Sequence, residues 1–327
     1  MKAYNWAIIG CGKIAQKFSE DLGLTERGTR YAVASRNLNK AVDFAEKQGF
    51  EKAYGSYLEL VSDPQVDVVY IATPHVMHME HSILAMTHGK SVLCEKPFAM
   101  NAHQVNKMIQ VARENKVFLM EAFWTRFKPK FMKSLELAHS NAYGKLEFLK
   151  SDFLFNGPYD PKNRLYNIEL GGGSLLDIGI YPVFMALSYL GVPDEIAALA
   201  QFSPTGSEKS LSLIFKYKNG ALASLNSSFE AWSKNETELC FEQASIRFSR
   251  EESEDILEYK DKKHHTLKVD SLKGHGYYLE AEHLMKCLDD KLIESPLLPL
   301  KFSQELIETL DKIRSIIGVQ YPSDKID

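Results

Sequence analysis

The sequence is poor in cysteine, and the few cysteines that it has lie far apart. Only four occur among 327 residues, at positions 11, 94, 240 and 287, with no CxxC or CxxH spacing. Disulfide frameworks and metal sites need either an oxidising compartment or closely spaced ligands. The ten histidines also lack acidic or cysteine partners at ligand spacing. We therefore expect no metal, reduced thiols and a cytoplasmic location.

A strong excess of charge of either sign is also lacking. Lys and Arg together number 39 and Asp and Glu together 43, which leaves a formal net charge of −4. Because nucleic acids and anionic membranes attract basic surfaces, we expect neither as a partner. We expect that no apolar run reaches the roughly 18 residues that a membrane-spanning helix needs. The chain enters its first strand at once, without the pattern of a cleavable signal region.

Internal repeats and low-complexity linkers are absent as well, and the length suits two tightly joined domains. Up to residue 122, short continuous apolar runs alternate with amphipathic segments, which is typical of a parallel sheet with helices on both faces. The predicted strands are 6–9, 31–34, 66–72, 91–94 and 117–120. The predicted helices are 13–22, 37–48, 75–88 and 101–114, with Asn101 as an N-cap.

From residue 123 onward the apolar pattern changes to roughly period two, and Asn219-Gly220 is a strong hairpin signal. These features predict a large, mostly antiparallel open sheet over 145–155, 194–202, 210–217, 221–229, 237–249 and 254–269. Helices are expected over 174–190, 277–288 and 303–317. The chain should thus be an α/β protein with one domain over 1–122 and a second over 123–327, whose last helix could pack back on the first.

A glycine-rich turn follows the first predicted strand. Residues Ile8–Ala15 read IIGCGKIA and fit the pattern G-x-G-x-x-A. Gly10 permits a tight turn, and Gly12 lets the backbone approach a pyrophosphate. The helix that begins at Lys13 and Ile14 supplies unpaired N–H groups to the same anion. At the first strand of an alternating β and α series, this turn predicts a dinucleotide-binding Rossmann domain.

The second predicted strand ends without the acidic residue that usually binds the ribose hydroxyls of NAD. Ser35 and Arg36 stand there instead, and Lys40 lies one helical turn further on. A hydroxyl and two cations would bind a 2′-phosphate, which a carboxylate would repel. We therefore expect NADP as the cofactor. The alternative is that Arg36 and Lys40 are ordinary solvated charges.

Polar residues follow the fourth and fifth predicted strands, and they should face the nicotinamide end of the cofactor. The fourth strand runs into Thr73, Pro74 and His78, and the fifth ends in Glu95 and Lys96 followed by a proline. That proline restricts the lysine to extended geometry and would allow a cis peptide. A lysine held there could polarise a substrate hydroxyl or carbonyl. The alternative is a surface ion pair.

The stretch 171–181, GGGSLLDIGIY, carries the third group of candidates. Three glycines would let the backbone pass close to a ligand, and Ser174 could cap the following helix. Asp177 and Tyr181 stand four residues apart, so they should project from one helix face. Tyr181 could then transfer a proton beside Lys96, while Asp177 orients the substrate or the lysine. A structural Asp and a core Tyr are an equally open interpretation.

Taken together, these stretches resemble the glucose–fructose oxidoreductase / inositol dehydrogenase (Gfo/Idh/MocA) family. The resemblance runs nearly end to end and includes GCGKIA, the Thr73-Pro74 turn with His78, CEKP, 171–181 and a C-terminal Tyr278-Glu280-Ala281 helix. Within the family, the chain is most similar to the dimeric dihydrodiol dehydrogenase branch. The local matches are AYGSY (53–57), VLCEKP (92–97), LMEAFWTRF (119–127) and LLDIGIY (175–181).

The resemblance implies NADP, a homodimer formed through the open sheet, and a catalytic role for Lys96, Asp177 and Tyr181. Many family members carry His where this chain has Tyr181. In having tyrosine at this position, the chain resembles the branches that use a phenol as acid or base. Lys40 stands where an arginine is common in the branch. Trp124 and Arg126 match residues beside the nicotinamide. Candidates for the substrate wall are Asn156, Tyr159, Arg164, Trp232 and the loop 274–277; Trp232 and Tyr277 are interpreted as core residues.

Three hypotheses of function follow. The first is an NADP-dependent oxidoreductase that acts on a secondary alcohol of a cyclic polyol, either a trans-dihydrodiol or a pyranose such as xylose, with Tyr181 handling the proton and Lys96 assisting. The second is a reductase of a keto or anhydro sugar. The third is a catalytically silent regulator that senses NADP, which would not need to keep the lysine together with the proton-transfer residue.

Overall fold

A computed structural model describes residues 2–250 and 255–324. By its internal packing the chain divides into two compact units. The first unit consists of Met1–Lys128 and Leu272–Gln304, and the second of Pro129–Ser271 and Glu305–Asp327. The division into domains at residue 122 stays a prediction.

The first unit is built on a parallel six-stranded sheet. Its strands are β1 (Tyr4–Ile9), β2 (Gly28–Ala34), β3 (Lys52–Tyr54), β4 (Val68–Ile71), β5 (Ser91–Glu95) and β6 (Leu119–Ala122). The order across the sheet is β3-β2-β1-β4-β5-β6. Strands β4, β5 and β6 are buried along almost their whole length, which is why they read as continuous apolar runs. The predicted doubly wound sheet is confirmed, whereas β3, only three residues long, gave too short a signal to be predicted.

The second unit contains an eight-stranded sheet. Its strands are β7 (Leu146–Leu154), β8 (Glu195–Phe202), β9 (Glu208–Lys216), β10 (Leu222–Ser228), β11 (Glu236–Phe241), β12 (Ala244–Ser249), β13 (Ile256–Lys260) and β14 (Lys263–Leu267). All pairings are antiparallel except that of β7 with β10. The β9–β10 hairpin lies where Asn-Gly predicted it. The runs predicted over 237–249 and 254–269 are each a hairpin of two strands, and residue 254 lies outside the described part.

The α-helices confirm most of the predicted ones. They are α1 (Lys13–Leu22), α2 (Leu38–Gln48), α3 (Tyr57–Ser62), α4 (His78–Thr87), α5 (Ala102–Asn115), α6 (Pro129–His139), α7 (Ile180–Leu190), α8 (Tyr278–Asp289) and α9 (Leu300–Ile317). Asn101 caps α5, because its side chain accepts the N–H of Gln104 at 3.0 Å. Helices α3 and α6 were not predicted.

The helix predicted over 174–190 begins as a π-helical turn, Leu175–Gly179, before α7 takes over. By length and composition alone, Ile168–Leu190 could cross a membrane, and 94% of its apolar window is buried inside the protein. The expectation that no run reaches this length is therefore corrected. Such burial is what the core helix of a globular protein shows, since its apolar surface packs on protein instead of lipid.

Candidate active site

The glycine-rich turn lies where three strands end. The N–H of Gly10 donates to the carbonyl oxygen of Ala34 at the end of β2, at 3.1 Å. Gly10 has φ +106°, and a Cβ on it would lie 2.8 Å from the carbonyl oxygen of Ala72, just after β4. A larger residue would therefore clash with backbone as well as adopt a strained conformation. Gly10 brings the ends of β1, β2 and β4 together.

Gly12 differs from Gly10, because a Cβ on it would meet no protein atom within 4 Å. It is the N-cap of α1, whose first residues are Lys13 and Ile14. The first N–H groups of a helix have no partner inside the helix and attract anions. An open cradle at a helix N-terminus fits the pyrophosphate of a dinucleotide. The residues that predicted such a site are thus arranged to hold one.

The end of β2 places two cations beside this turn. Arg36 is exposed, and its charge adds to burial in lowering the pKa of His81 to about 4. Lys40 is exposed in the first turn of α2, and its charge opposes the rise that burial causes in the pKa of the Cys11 thiol. The Oγ of Ser35 accepts the N–H of Asn37 at 3.3 Å. Ser35, Arg36 and Lys40 therefore lie together near the glycine-rich turn.

His78 lies underneath the strand ends, not at their surface. It is 1% exposed, and burial lowers its pKa to about 4, so the ring is neutral. Its Nδ1 lies 2.8 Å from the carbonyl oxygen of Pro97 and its Nε2 lies 2.8 Å from that of Thr73. A neutral imidazole has one N–H and donates to one of these oxygens at a time. His78 ties the Thr73-Pro74 turn to the turn after β5.

Glu95 is buried, with 7% of its surface exposed, so its interpretation as a surface ion-pair residue is wrong. The Tyr70 hydroxyl donates to one carboxylate oxygen, and the N–H of Lys96 donates to the other at 3.2 Å. Burial, and then the charge of Glu95, raises the pKa of Tyr70, which stays a donor. Lys96 is partly exposed at the strand end, and its peptide bond to Pro97 is cis. Glu95 thus holds the backbone that carries the lysine.

Two further buried carboxyl groups support this turn, and sequence reasoning gave neither a role. Glu121, at the end of β6, accepts the N–H of Phe98 at 3.0 Å, and burial raises its pKa to about 7. Glu280 of α8 is completely buried. Burial, followed by the charges of Glu95 and Asp21, raises its pKa well above the ordinary range. Both residues belong to stretches on which the family resemblance rests, so that resemblance is the signal that could have revealed them.

Trp124 and Arg126 follow β6. The Trp124 ring stacks on Tyr277, with ring centroids 4.9 Å apart and an interplanar angle of 26°, and the ammonium of Lys128 lies 3.4 Å from its centroid. The Nε of Arg126 donates to the carbonyl oxygen of Leu297 at 2.7 Å. Tyr277 is 7% exposed, which confirms it as a core residue. The loop before it is fixed by Asp21, which accepts the Tyr277 N–H at 2.7 Å.

In the second unit, two of the three glycines, Gly172 and Gly173, make room for protein atoms and not, as expected, for a ligand. A Cβ on Gly172 would lie 2.7 Å from the backbone nitrogen of Asn167, and one on Gly173 would clash with the carboxylate of Glu208. Glu208 accepts the N–H of Leu175 at 2.8 Å, so it caps the helical segment in place of Ser174. It is buried, and burial raises its pKa to about 7.

Asp177 and Tyr181 lie on either side of the junction between the π-turn and α7. Asp177 accepts a hydrogen bond from Arg164 at 2.7 Å, in an ion pair whose carboxylate side chain is 12% exposed. The Tyr181 ring is 7% exposed and meets Phe153 edge-on at 5.5 Å. Arg164 was predicted only as part of a substrate wall, because no spacing rule connects it with Asp177.

Two remaining expectations are tested by exposure and by ligand geometry. Trp232 is 75% exposed, so its interpretation as a core residue is wrong. Among the residues that the structure describes, no group of three or more His, Cys, Asp or Glu side chains is arranged to hold a metal ion.

The parallel sheet, the glycine turn and the polar strand ends define a dinucleotide-binding α/β protein. Residues 4–123 match the model of an oxidoreductase family with an NAD-binding Rossmann fold, GFO_IDH_MocA, and residues 131–247 match the GFO/IDH/MocA C-terminal domain. The chain is 36% identical to trans-1,2-dihydrobenzene-1,2-diol dehydrogenase of Xenopus tropicalis, over 98% of this chain and 100% of the relative. The chain belongs to the Gfo/Idh/MocA oxidoreductase family.

Solved structures of other proteins share the fold. A levoglucosan dehydrogenase in complex with NADH and L-sorbose has a TM-score of 0.86 at 20% identity, over 97% of both chains. A 3-ketoreductase from Actinomadura kijaniata in complex with NADP has a TM-score of 0.86 at 23% identity, over 97% of this chain and 98% of that one. The predicted family, fold class and oxidoreductase activity are confirmed, with a NAD(P)-binding domain in the first unit.

Proposed function

We propose that the protein is an NADP-dependent oxidoreductase that transfers hydride between the nicotinamide and a secondary alcohol or carbonyl of a cyclic polyol. The observation that carries the proposal is the sheet edge of the first unit. There the open cradle at Gly12, the cations after β2 and Lys96 after β5 all follow the carboxyl ends of parallel strands. Ligands of doubly wound sheets bind at such an edge.

The residues that would hold the cofactor all belong to the first unit. Gly10, Gly12 and the first residues of α1 fit the pyrophosphate, because the helix start leaves N–H groups for an anion. Ser35, Arg36 and Lys40 fit a 2′-phosphate. The groups after β4, β5 and β6 would hold the nicotinamide half of the cofactor, and His78 supports them from below. These groups are Thr73, Pro74, Glu95, Lys96, Trp124 and Arg126.

The substrate class is a trans-dihydrodiol or a pyranose sugar such as xylose. This proposal is supported by the name of the 36% identical relative, a dihydrodiol dehydrogenase. The bound cofactor supplies the hydride chemistry. Tyr181 gives or takes the hydroxyl proton, Lys96 provides positive charge for that transfer, and Asp177 orients the substrate, with its own carboxylate held by Arg164.

The test is a screen of diols and sugars for oxidation, and of keto and anhydro sugars for reduction, followed by nicotinamide absorbance. Tyr181→Phe should lose roughly 10²- to 10⁴-fold in kcat on the best substrate, because it removes the group that handles the proton. Its affinity for NADPH should not change. The control is Tyr259→Phe, which removes the hydroxyl of a half-exposed tyrosine on β13 in the same unit.

Each outcome of this screen decides between the hypotheses. Full activity of Tyr181→Phe would remove the phenol from the chemistry. Turnover confined to carbonyl substrates would favour the keto- or anhydro-sugar reductase. Tight binding of NADPH without turnover of any substrate in the screen would favour the catalytically silent, NADP-sensing regulator. A cytoplasmic location, for which the four free thiols are suited, stays part of the proposal.

A further inference from the structure

Arg250 lies directly over the ring of Tyr181. It follows β12, and its backbone N–H donates to the carbonyl oxygen of Asn235 at 3.0 Å, which fixes the start of the side chain. Its guanidinium carbon is 4.1 Å from the ring centroid of Tyr181 and 3.9 Å from that of Phe153. No sequence pattern indicates this contact, since β12 and α7 are far apart along the chain.

A guanidinium in this position acts on the phenol in two ways. It is attracted to the electron-rich face of the ring. It also favours the negative charge that develops on the phenol oxygen when the proton leaves. Because Tyr181 is 7% exposed, water screens this effect only weakly. Arginine keeps its charge throughout the working pH range, so the influence is constant.

Two neighbours of Tyr181 in the second unit leave this charge in place. Strand β7 contributes Phe153, which is uncharged. The π-turn contributes Asp177, whose carboxylate is neutralised by Arg164 at 2.7 Å. The guanidinium over the ring therefore adds positive charge to the surroundings of the phenol.

We propose that Arg250 is a positioning residue for Tyr181: it holds the ring from one face and stabilises the phenolate through which the proton passes. This inference rests on the proposed role of Tyr181 in proton transfer. Two cations would then assist the proton transfer, Arg250 in the second unit and Lys96 in the first.

The experiment compares Arg250→Met with Arg250→Lys on the best substrate of the screen. Arg250→Met keeps much of the side-chain volume but removes the charge. In alcohol oxidation, the limb of kcat that rises with pH should move upward by roughly 0.5–1.5 pH units, because the phenolate loses the attraction of a nearby cation. Arg250→Lys should restore most of the wild-type profile.

The matched control is Arg247→Met, the same change three residues earlier, within β12. Arg247 is exposed and pairs with Glu236 at 3.7 Å, so its pH profile should equal that of the wild type. Urea unfolding of all three variants checks that they are folded. Equal shifts in Arg250→Met and Arg250→Lys, or no shift in Arg250→Met, would overturn the inference.

A second readout does not depend on turnover. The near-ultraviolet absorbance of tyrosinate is titrated in the wild type, in Tyr181→Phe and in Arg250→Met, and the component missing from Tyr181→Phe belongs to Tyr181. That component should appear at higher pH in Arg250→Met, and an unchanged titration speaks against the inference. If Tyr181→Phe remains fully active while the Tyr181 component moves as expected in Arg250→Met, the proposed role of the phenol fails and the placement of the charge stands.

Discussion

Arg36 shows how one residue bears on the choice of cofactor. It is exposed after β2 and stands where a carboxylate would bind the ribose of NAD. Its charge reaches His81, whose pKa it helps to lower. An exposed guanidinium suits a phosphate dianion, since it can form two parallel hydrogen bonds with it. The preference for NADP over NAD thus depends mainly on this residue.

Arg36→Ala should weaken NADPH binding by roughly 10- to 100-fold, the effect of losing a charged hydrogen-bond partner of about 1.5–3 kcal/mol. NADH binding should change little, because NADH has no 2′-phosphate. Fluorescence titration of both cofactors measures the two dissociation constants. Lys47→Ala, at the exposed far end of α2, is the control. Equal losses for NADPH and NADH would contradict the assignment.

At the scale of elements, α8 packs a carboxyl group into the first unit where no solvent reaches it. Glu280 is fully buried, and in the described part of the chain neither of its carboxylate oxygens has a hydrogen-bond partner. Its charged neighbours are Glu95 of β5 and Asp21 of α1, and both disfavour a second negative charge. The helix therefore packs against the sheet with this group protonated.

This arrangement makes stability depend on pH. The pKa of Glu280 is raised in the folded state, so folded protein binds the proton more tightly than unfolded protein does. The resulting stabilisation is complete below the unfolded pKa, near 4.3, and is lost as pH rises towards the folded value. Glu280→Gln, which is neutral at every pH, should abolish a loss of about 1.4 kcal/mol per pH unit in that window.

Urea unfolding at a series of pH values measures this effect. The free energy of unfolding of Glu280→Gln should exceed that of the wild type by an amount that grows with pH. Glu46→Gln, an exposed glutamate of α2, provides the control and should follow the wild type. A constant difference between Glu280→Gln and the wild type at all pH values would show that Glu280 is not the titrating group.

At the scale of the whole molecule, one face of the eight-stranded sheet carries apolar side chains in solvent. Leu199 of β8 is 79% exposed, and Ile214 of β9 and Leu257 of β13 are 44% and 42% exposed. Ion pairs lie among them, such as Lys150 with Glu238 at 2.9 Å. An apolar face crossed by charged pairs is typical of a protein interface. We propose that a second copy of the chain covers it and forms a homodimer.

Replacing both Leu199 and Ile214 by Lys should raise the dimer dissociation constant by at least about 30-fold, the effect expected of one central interface residue. Sedimentation equilibrium over a range of concentrations measures it. Ile316→Lys, on an exposed apolar position of α9, is the control and should remain a dimer. A wild-type chain that sediments as a monomer would contradict the proposal.

The sequence by itself determined the parallel sheet, the glycine turn and most helix boundaries. These features depend on local rules: β4 and β5 read as unbroken apolar runs because they are buried on both faces, and Asn101 caps α5 three residues from its partner. Family motifs also singled out four candidate site residues, but they did not reveal what each side chain contacts. These residues are Glu95, Lys96, Asp177 and Tyr181. Short elements such as β3 gave too few residues for any period.

Only the tertiary structure decided which groups surround those motifs. Glu208 replaces Ser174 as a cap, and it also fills the space that the glycines were expected to leave for a ligand. Arg250 lies over Tyr181, and Glu280 is packed near Glu95. Such contacts join residues that are distant along the chain, and neither hydrophobic periodicity nor spacing encodes them. They arise when strands and helices pack, because burial and charge then select the partners.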